Sequence, residues 1–283
     1  MLRSVQARVL DADDEGAVRD LLATDPVGAC MLAGRVETHG TATASLGAPL
    51  WGLSTGRRLD AVCLAGANLI PFARPGTEQE AATAFAERAR RAGRRCSTIV
   101  GPAASVLPLW DLLALSWGPA REVRGRQPLL AIEGAPLVPA EPRVRPVRPG
   151  ELDTLLPAAI AMFTEEVGVS PLRVDGGAAY RARVADLVRA GQSLAWIEDG
   201  QVLFKADVGA VSRAACQVQG VWVAPQFRGQ GIGQRGTAAV VEYARTAIAP
   251  IVSLYVNDYN TAARAAYDRV GFRQVGTYAS VLF

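Results

Sequence analysis

Lysine is nearly missing from this sequence: Lys205 is the single example among 30 basic residues. Arginine carries the rest of the positive charge, and 27 acidic residues bring the formal net charge to only +3. The arginines are scattered, with no basic face interleaved with aromatics, so a nucleic-acid partner is not expected. The arginine bias, together with abundant Ala, Gly and Pro, suggests a GC-rich bacterial genome and says nothing about function.

Histidine is equally scarce, with His39 alone. Cys30, Cys63, Cys96 and Cys216 lie far apart and form no C-x-x-C pair. A metal site is therefore not expected. Cys63 and Cys216 fall in apolar, strand-like runs where a buried free thiol is the ordinary outcome, which fits a reducing, cytoplasmic setting. Long apolar runs are missing too. The opening "MLRSVQARVLDADDEG" has none that would serve as a signal peptide, and Pro, Asn or Asp interrupts the others well short of a membrane span. A soluble chain with no membrane partner is the expectation, as a monomer or homodimer.

What is present is hydrophobic bulk: half of the 283 residues, enough for one large core or two ordinary ones. "EGAPLVPAEPRVRPVR" (133–148) holds four prolines and follows neither a strand nor a helix period. Proline removes donors and restricts its neighbour, so this reads as an extended connector. The expected division is a first domain over 1–138, a linker over 139–148 and a second domain over 149–283.

In the second lobe the spacing predicts a short strand, a turn and a helix broken or restarted at Pro157. Two strands should then meet at Asp199 and Gly200, a hairpin dipeptide. A further strand ends near Ala224, after which glycines crowd and a helix begins. "PIVSLYVN" reads as a strand, and Asn260 as the cap of a helix that Gly271 ends in the left-handed conformation. The first lobe has a similar rhythm, which suggests an internal duplication. Where the second lobe has a triple-glycine loop, however, the first has only "FARPGTEQEA".

That loop, "PQFRGQGIGQRG" (225–236), satisfies two phosphate-binding patterns at once. Both need backbone N–H groups converging on anionic oxygens at a helix N-terminus, with no side chains in the way. Gly231, Gly233 and Gly236 complete G-x-G-x-x-G, and Asp258 lies about where a dinucleotide fold places its ribose-binding carboxylate. The position argues against that reading, because too little chain follows Asp258 for the remaining strand-helix units of such a fold.

The alternative is R-x-x-G-x-G from Arg228 to Gly233, followed by "VNDYNTAARAAYDRVGF". These two motifs, in this order, resemble the GNAT superfamily of acyl-CoA N-acyltransferases. The likeness covers most of the second lobe, and the two-lobed layout is similar to tandem actinobacterial members. The resemblance implies a mixed α/β fold with a splayed, mostly antiparallel central sheet flanked by helices, and a degenerate version of it in the first lobe. It also implies acetyl-CoA as acyl donor, with no metal, and a primary amine of a small molecule or peptide as acceptor.

Residue by residue, the resemblance gives Val221, Trp222 and Val223 to the pantetheine arm. Arg228, Gly229, Gln230, Gly231, Ile232, Gly233 and Gln234 go to the pyrophosphate, while Asn257 and Asn260 face the cofactor from across the splay. Arg264 is either a partner for the ribose phosphate or a solvated surface charge, and Asn260 has its own alternative as a plain helix cap. Tyr267 becomes the general acid, since a phenol titrating near pH 10 holds its proton at neutral pH. Many relatives carry a glutamate on the strand before the loop; here Gln217 and Gln219 stand there. Glu165 and Glu166 are the first candidates for the base, with Asp207 behind them. Without a strand carboxylate the chain could instead be a regulatory sensor that binds acetyl-CoA without turnover.

Overall fold

The computed structural model describes residues 6–173 and 175–283. They divide into two compact units, the residues up to Leu129 with Gln274–Phe283, and Leu130–Arg273.

The first unit begins with β1 (Arg8–Val9), α1 (Glu15–Leu22), α2 (Cys30–His39) and the short α3 (Thr43–Leu46). A meander of β2 (Leu50–Thr55), β3 (Arg58–Ala65) and β4 (Asn68–Ala73) follows, and then α4 (Glu78–Ala92), β5 (Thr98–Pro102), α5 (Ala103–Trp117) and β6 (Glu122–Ile132). β1 to β4 pair antiparallel in chain order, and β5 joins β4 in parallel. Buried Ala81, Ala82, Ala84, Ala86 and Ala89 let α4 lie close to the sheet, with Phe85 filling the core between them. Acidic residues at its start and Arg90 and Arg91 at its end suit the helix dipole.

The second unit repeats this order with β7 (Arg145–Pro146), α6 (Leu152–Val167), α7 (Ala178–Arg189), β8 (Ser193–Glu198), β9 (Gln201–Val211) and β10 (Ala215–Val223). Then come α8 (Ile232–Ala247), β11 (Ile251–Tyr255), α9 (Thr261–Val270) and β12 (Arg273–Leu282). β7 to β10 are antiparallel neighbours and β11 is parallel to β10. The two units thus share one sequence of pairings, as the suspected duplication requires. The sheet of the second unit is covered on one face by α8 and α9, through Ile232, Val240, Tyr267 and Val270, and on the other by α6 and α7, through Leu155, Ala159, Val184 and Val188.

Two features differ from the sequence expectation. Residues 139–148 do not form a separate linker. Glu141 is buried, its N–H donates to the Arg235 carbonyl, and the β7 segment pairs with β8. The closing strands are also exchanged between the units. β6 ends by delivering Leu130 and Ile132 to the second core, while β12 pairs with β5 and places Ala279 and Val281 in the first core.

Helix α6 runs through Pro157 without a break. A proline here removes one hydrogen bond near the helix start, and burial of Leu155, Ala158 and Ala159 around it holds the helix together. Asp199 and Gly200 make the expected tight hairpin, at φ 50° and 73°.

Candidate functional site

The site is built on the end of β10. β10 pairs with β11 through Ala215–Ile251, Cys216–Val252 and Gln217–Ser253, and the parallel register stops there. On its other edge β10 stays paired with β9, but Gln219 faces Asp207 and Trp222 faces Lys205. One extra residue is therefore accommodated on β10 as a bulge at Gly220 and Val221. Gly220 sits at φ 58°, and a Cβ there would come within 2.7 Å of Met162 Cε and 3.2 Å of Lys205 Nζ. Only glycine fits this turn.

The bulge shifts the alternation, so that Trp222, and not Val221, shares the α6 and α7 face with Gln217 and Gln219. The hydrogen-bond phase follows from Ala224, whose N–H donates to the Leu203 carbonyl at 3.0 Å. Antiparallel bonds alternate, so Trp222 bonds toward β9 while the Val223 N–H points to the edge where β11 has separated, and Val221, inside the bulge, has no β9 residue paired with it. An extended chain can pair with that edge.

The glycine loop follows directly. Gly229 and Gly231 take φ values of 78° and 76°, and Gly231 opens α8 without a side-chain cap or an acidic residue in the first turn. Among the described residues, the backbone N–H groups of 229–234 make no hydrogen bond. Unpaired N–H groups at the positive end of a long helix form an anion-binding concavity. The counterpart in the first unit is already filled, since Glu78 accepts from the Gly76 N–H at 2.7 Å and Glu80 adds a second negative charge. Gly233 lies against Val223, whereas a Cβ on Gly236 would fall 2.6 Å from the Phe204 ring. Gly236 is thus a packing residue, and the overlap with a dinucleotide pattern arises from helix-sheet contact.

Glu165 and Glu166 are consecutive on α6 and point to different partners. Glu165 accepts from Trp222 Nε1 at 3.1 Å and from Arg228 Nη2 at 2.7 Å, while Arg228 Nε donates to the Val223 carbonyl at 2.9 Å. The Arg228 side chain therefore binds the loop to its own strand. Glu166 meets Asn257 Nδ2 at 3.4 Å and lies near enough to Tyr267 to influence its phenol.

Tyr267 is buried on α9, edge-on to Phe272 at 5.9 Å between ring centres. Burial, and then the Glu166 carboxylate, push its phenol well above the ordinary value of 10. Helix α9 ends in a Schellman-type turn, with the Phe272 N–H on the Tyr267 carbonyl and Gly271 at φ 110°, which fixes the height of Tyr267.

Asn260 spends its carboxamide oxygen on the Ala263 N–H and acts as the helix cap. Arg264 is exposed and donates to the Asp258 carbonyl. Asp207 is also engaged, accepting from Ser193 Oγ at 2.7 Å and from Lys205 Nζ at 2.5 Å. Among the described residues, no group of His, Cys, Asp and Glu could hold a metal ion, and no helix is long and apolar enough to cross a membrane.

Sequence reasoning did not find two parts of this site. The first is the buried pairing of Asp207, named from the sequence only as a further candidate base, with Ser193 and Lys205. Its signal was the one charged pair, Lys205 and Asp207, inside the apolar run "VLFKADVGAV". The second is Glu141, which lies under α8 with Arg143 at 2.6 Å and Arg235 at 3.8 Å. The hydrogen bond from Arg143 outweighs burial and holds the Glu141 carboxyl below the usual range.

Residues 177–272 match the family model described as "Acetyltransferase (GNAT) family", and residues 48–155 match a domain of unknown function, DUF4081. Among solved structures, the chain is similar to a Drosophila protein at 14% identity and TM-score 0.66, covering 99% of both chains. It is also similar to a GCN5-related N-acetyltransferase from Sphaerobacter thermophilus, at 16% identity and TM-score 0.58, over 99% of this chain and 95% of that one. A tandem GNAT protein from the clavulanic acid biosynthesis pathway aligns over 98% of both chains, at 18% identity and TM-score 0.53. No curated protein matches the chain.

Proposed function

We propose that the protein, whose residues 177–272 match the GNAT acetyltransferase family model, moves an acetyl group from acetyl-CoA to a primary amine by direct attack. The observation that carries this reading is the pairing of unpartnered loop amides at 229–234 with a buried Tyr267 beside Glu166, its phenol raised by burial, around the strand edge where the β10–β11 pairing stops.

Acyl transfer needs a neutral nucleophile, stabilisation of the developing oxyanion and a proton for the leaving thiolate, and this reading assigns a group to each. The Val221 and Val223 edge of β10 holds the pantetheine arm as a neighbouring strand would, and the amides of 229–234 with the α8 N-terminus hold the pyrophosphate. The Val221 N–H stabilises negative charge developing on the thioester oxygen. Tyr267 gives its proton to the departing sulfur, and burial keeps that proton in place at neutral pH.

Glu166 is the proposed acceptor of the amine's proton, because Gln217 and Gln219 cannot take one. Glu165 is proposed as a brace for Trp222 and Arg228, since both its oxygens are already engaged. Asn257 orients Glu166, Asn260 shapes the start of α9, and Arg264 is placed to meet the ribose phosphate.

The lack of a carboxylate on β10 favours a second reading, an acetyl-CoA sensor without turnover. Thiol release from acetyl-CoA, measured with amino acids, polyamines, aminoglycosides and short peptides, separates the two. Amine-dependent release supports the transferase. Tight binding with no release from any amine supports the sensor.

A further inference from the structure

We infer that Lys205 is a positioning residue for acyl transfer: anchored by Asp207, its ammonium group holds the Gly220 carbonyl and so aims the Val221 N–H at the open edge of β10. This inference rests on the transferase reading above.

Lys205 is fully buried, although it is the one lysine in a chain that otherwise uses arginine. Its Nζ donates to Asp207 Oδ2 at 2.5 Å and to the Gly220 carbonyl at 3.2 Å, and Ser193 Oγ donates to the other oxygen of Asp207 at 2.7 Å.

The Gly220 carbonyl and the Val221 N–H belong to one planar trans peptide and point in opposite directions. Whatever fixes the first therefore fixes the second. Nζ belongs to a β9 residue, so a Gly220 carbonyl turned to it leaves the Val221 N–H turned away from β9, on the side where the β11 pairing has stopped. A cation on the carbonyl also polarises the amide, which makes its N–H a stronger donor. At a bulge the sheet ladder no longer holds the peptide, so its orientation depends on this side chain.

Of the proposed binding groups only the Val221 amide depends on Lys205, whose Nζ bonds go to Asp207 and Gly220 and not to the loop amides of 229–234 or to Val223. Removing the ammonium should therefore slow the chemical step and leave acetyl-CoA affinity nearly intact. Lys205→Met alone leaves Asp207 buried without a counter-charge and can cost the fold. The variant to compare is Lys205→Met/Asp207→Asn, which removes both charges, with its thermal midpoint confirming the folded state.

With acetyl-CoA and the best amine from the screen, kcat should fall by about 10- to 100-fold while KM for acetyl-CoA changes by less than about threefold. A kcat within about twofold of the unmodified protein, or a loss carried by KM, overturns the inference. If the unmodified protein releases no thiol with any amine, the transferase reading fails by itself. The Val221 amide proton resonance in the acetyl-CoA complex then decides: an upfield move in the double variant upholds the positioning role, and an unchanged resonance overturns it.

Discussion

Arg228 Nη2 meets Glu165 Oε2 at 2.7 Å, joining the glycine loop to a helix 63 residues earlier in the chain. Both side chains are nearly half exposed, so the ion pair contributes less than about 1 kcal/mol to stability. Its effect lies in placing the loop. Glu165→Ala should raise KM for acetyl-CoA by about three- to tenfold, the loss of a preorganised site, while the thermal midpoint barely moves. A large drop in melting temperature without a change in KM would refute that division.

Tyr267→Phe keeps the ring against Phe272 and removes only the hydroxyl. Turnover should fall by about 10²-fold or more with acetyl-CoA binding retained, as read by thiol release and calorimetry. Because burial and Glu166 raise the phenol above 10, Tyr267 stays protonated across the neutral and mildly alkaline range. The kcat profile should therefore show no falling limb from this group below pH 10. Unchanged turnover in the variant removes Tyr267 from the mechanism.

Gly231 and Gly236 share one sequence pattern and should respond differently to substitution. Gly231→Val places a branched side chain at φ 76° in the middle of the anion site and should abolish acetyl-CoA binding. Gly236→Ala drives a Cβ into the Phe204 ring and should destabilise the fold by about 1–3 kcal/mol, with the affinity of the remaining folded protein unchanged. Denaturant melts and acetyl-CoA titrations on both variants test the contrast.

Arg145 makes two hydrogen bonds to Glu151, which also accepts from the Arg148 N–H at the start of α6. The Arg145 contact lowers the Glu151 pKa from 4.5 to about 2. A depressed carboxyl contributes stability that is present above pH 4.5 and lost as the pH falls toward 2. Glu151→Gln should cost on the order of 1–2 kcal/mol at pH 7, discounted for the partial exposure of the pair, and almost nothing near pH 2. Equal losses at both pH values would point to packing instead of charge.

The glycine loop, the cap at Asn260, the turn at Gly271 and the hairpin at Asp199 and Gly200 were legible because each rests on local backbone chemistry. The bulge was not, because Gly220 gives no sign in the sequence of the register with β9 that makes it one. Glu165 and Glu166 looked equivalent as neighbours, and only their different partners distinguish them. Residues 139–148 look like a free linker by their prolines, yet Glu141 is buried among arginines 2 and 94 positions later. The destination of β12 could not be read either, since nothing within a strand names the partner it will find.

The exchange of β6 and β12 bears on synthesis. N-terminal domains ordinarily fold while the ribosome is still extending the chain. Here the first unit lacks Ala279 and Val281 from its core, and the Tyr278 hydroxyl that donates to the Gly28 carbonyl at 2.7 Å, until Gln274–Phe283 have emerged. It must therefore wait, partly assembled, while the whole second unit is translated.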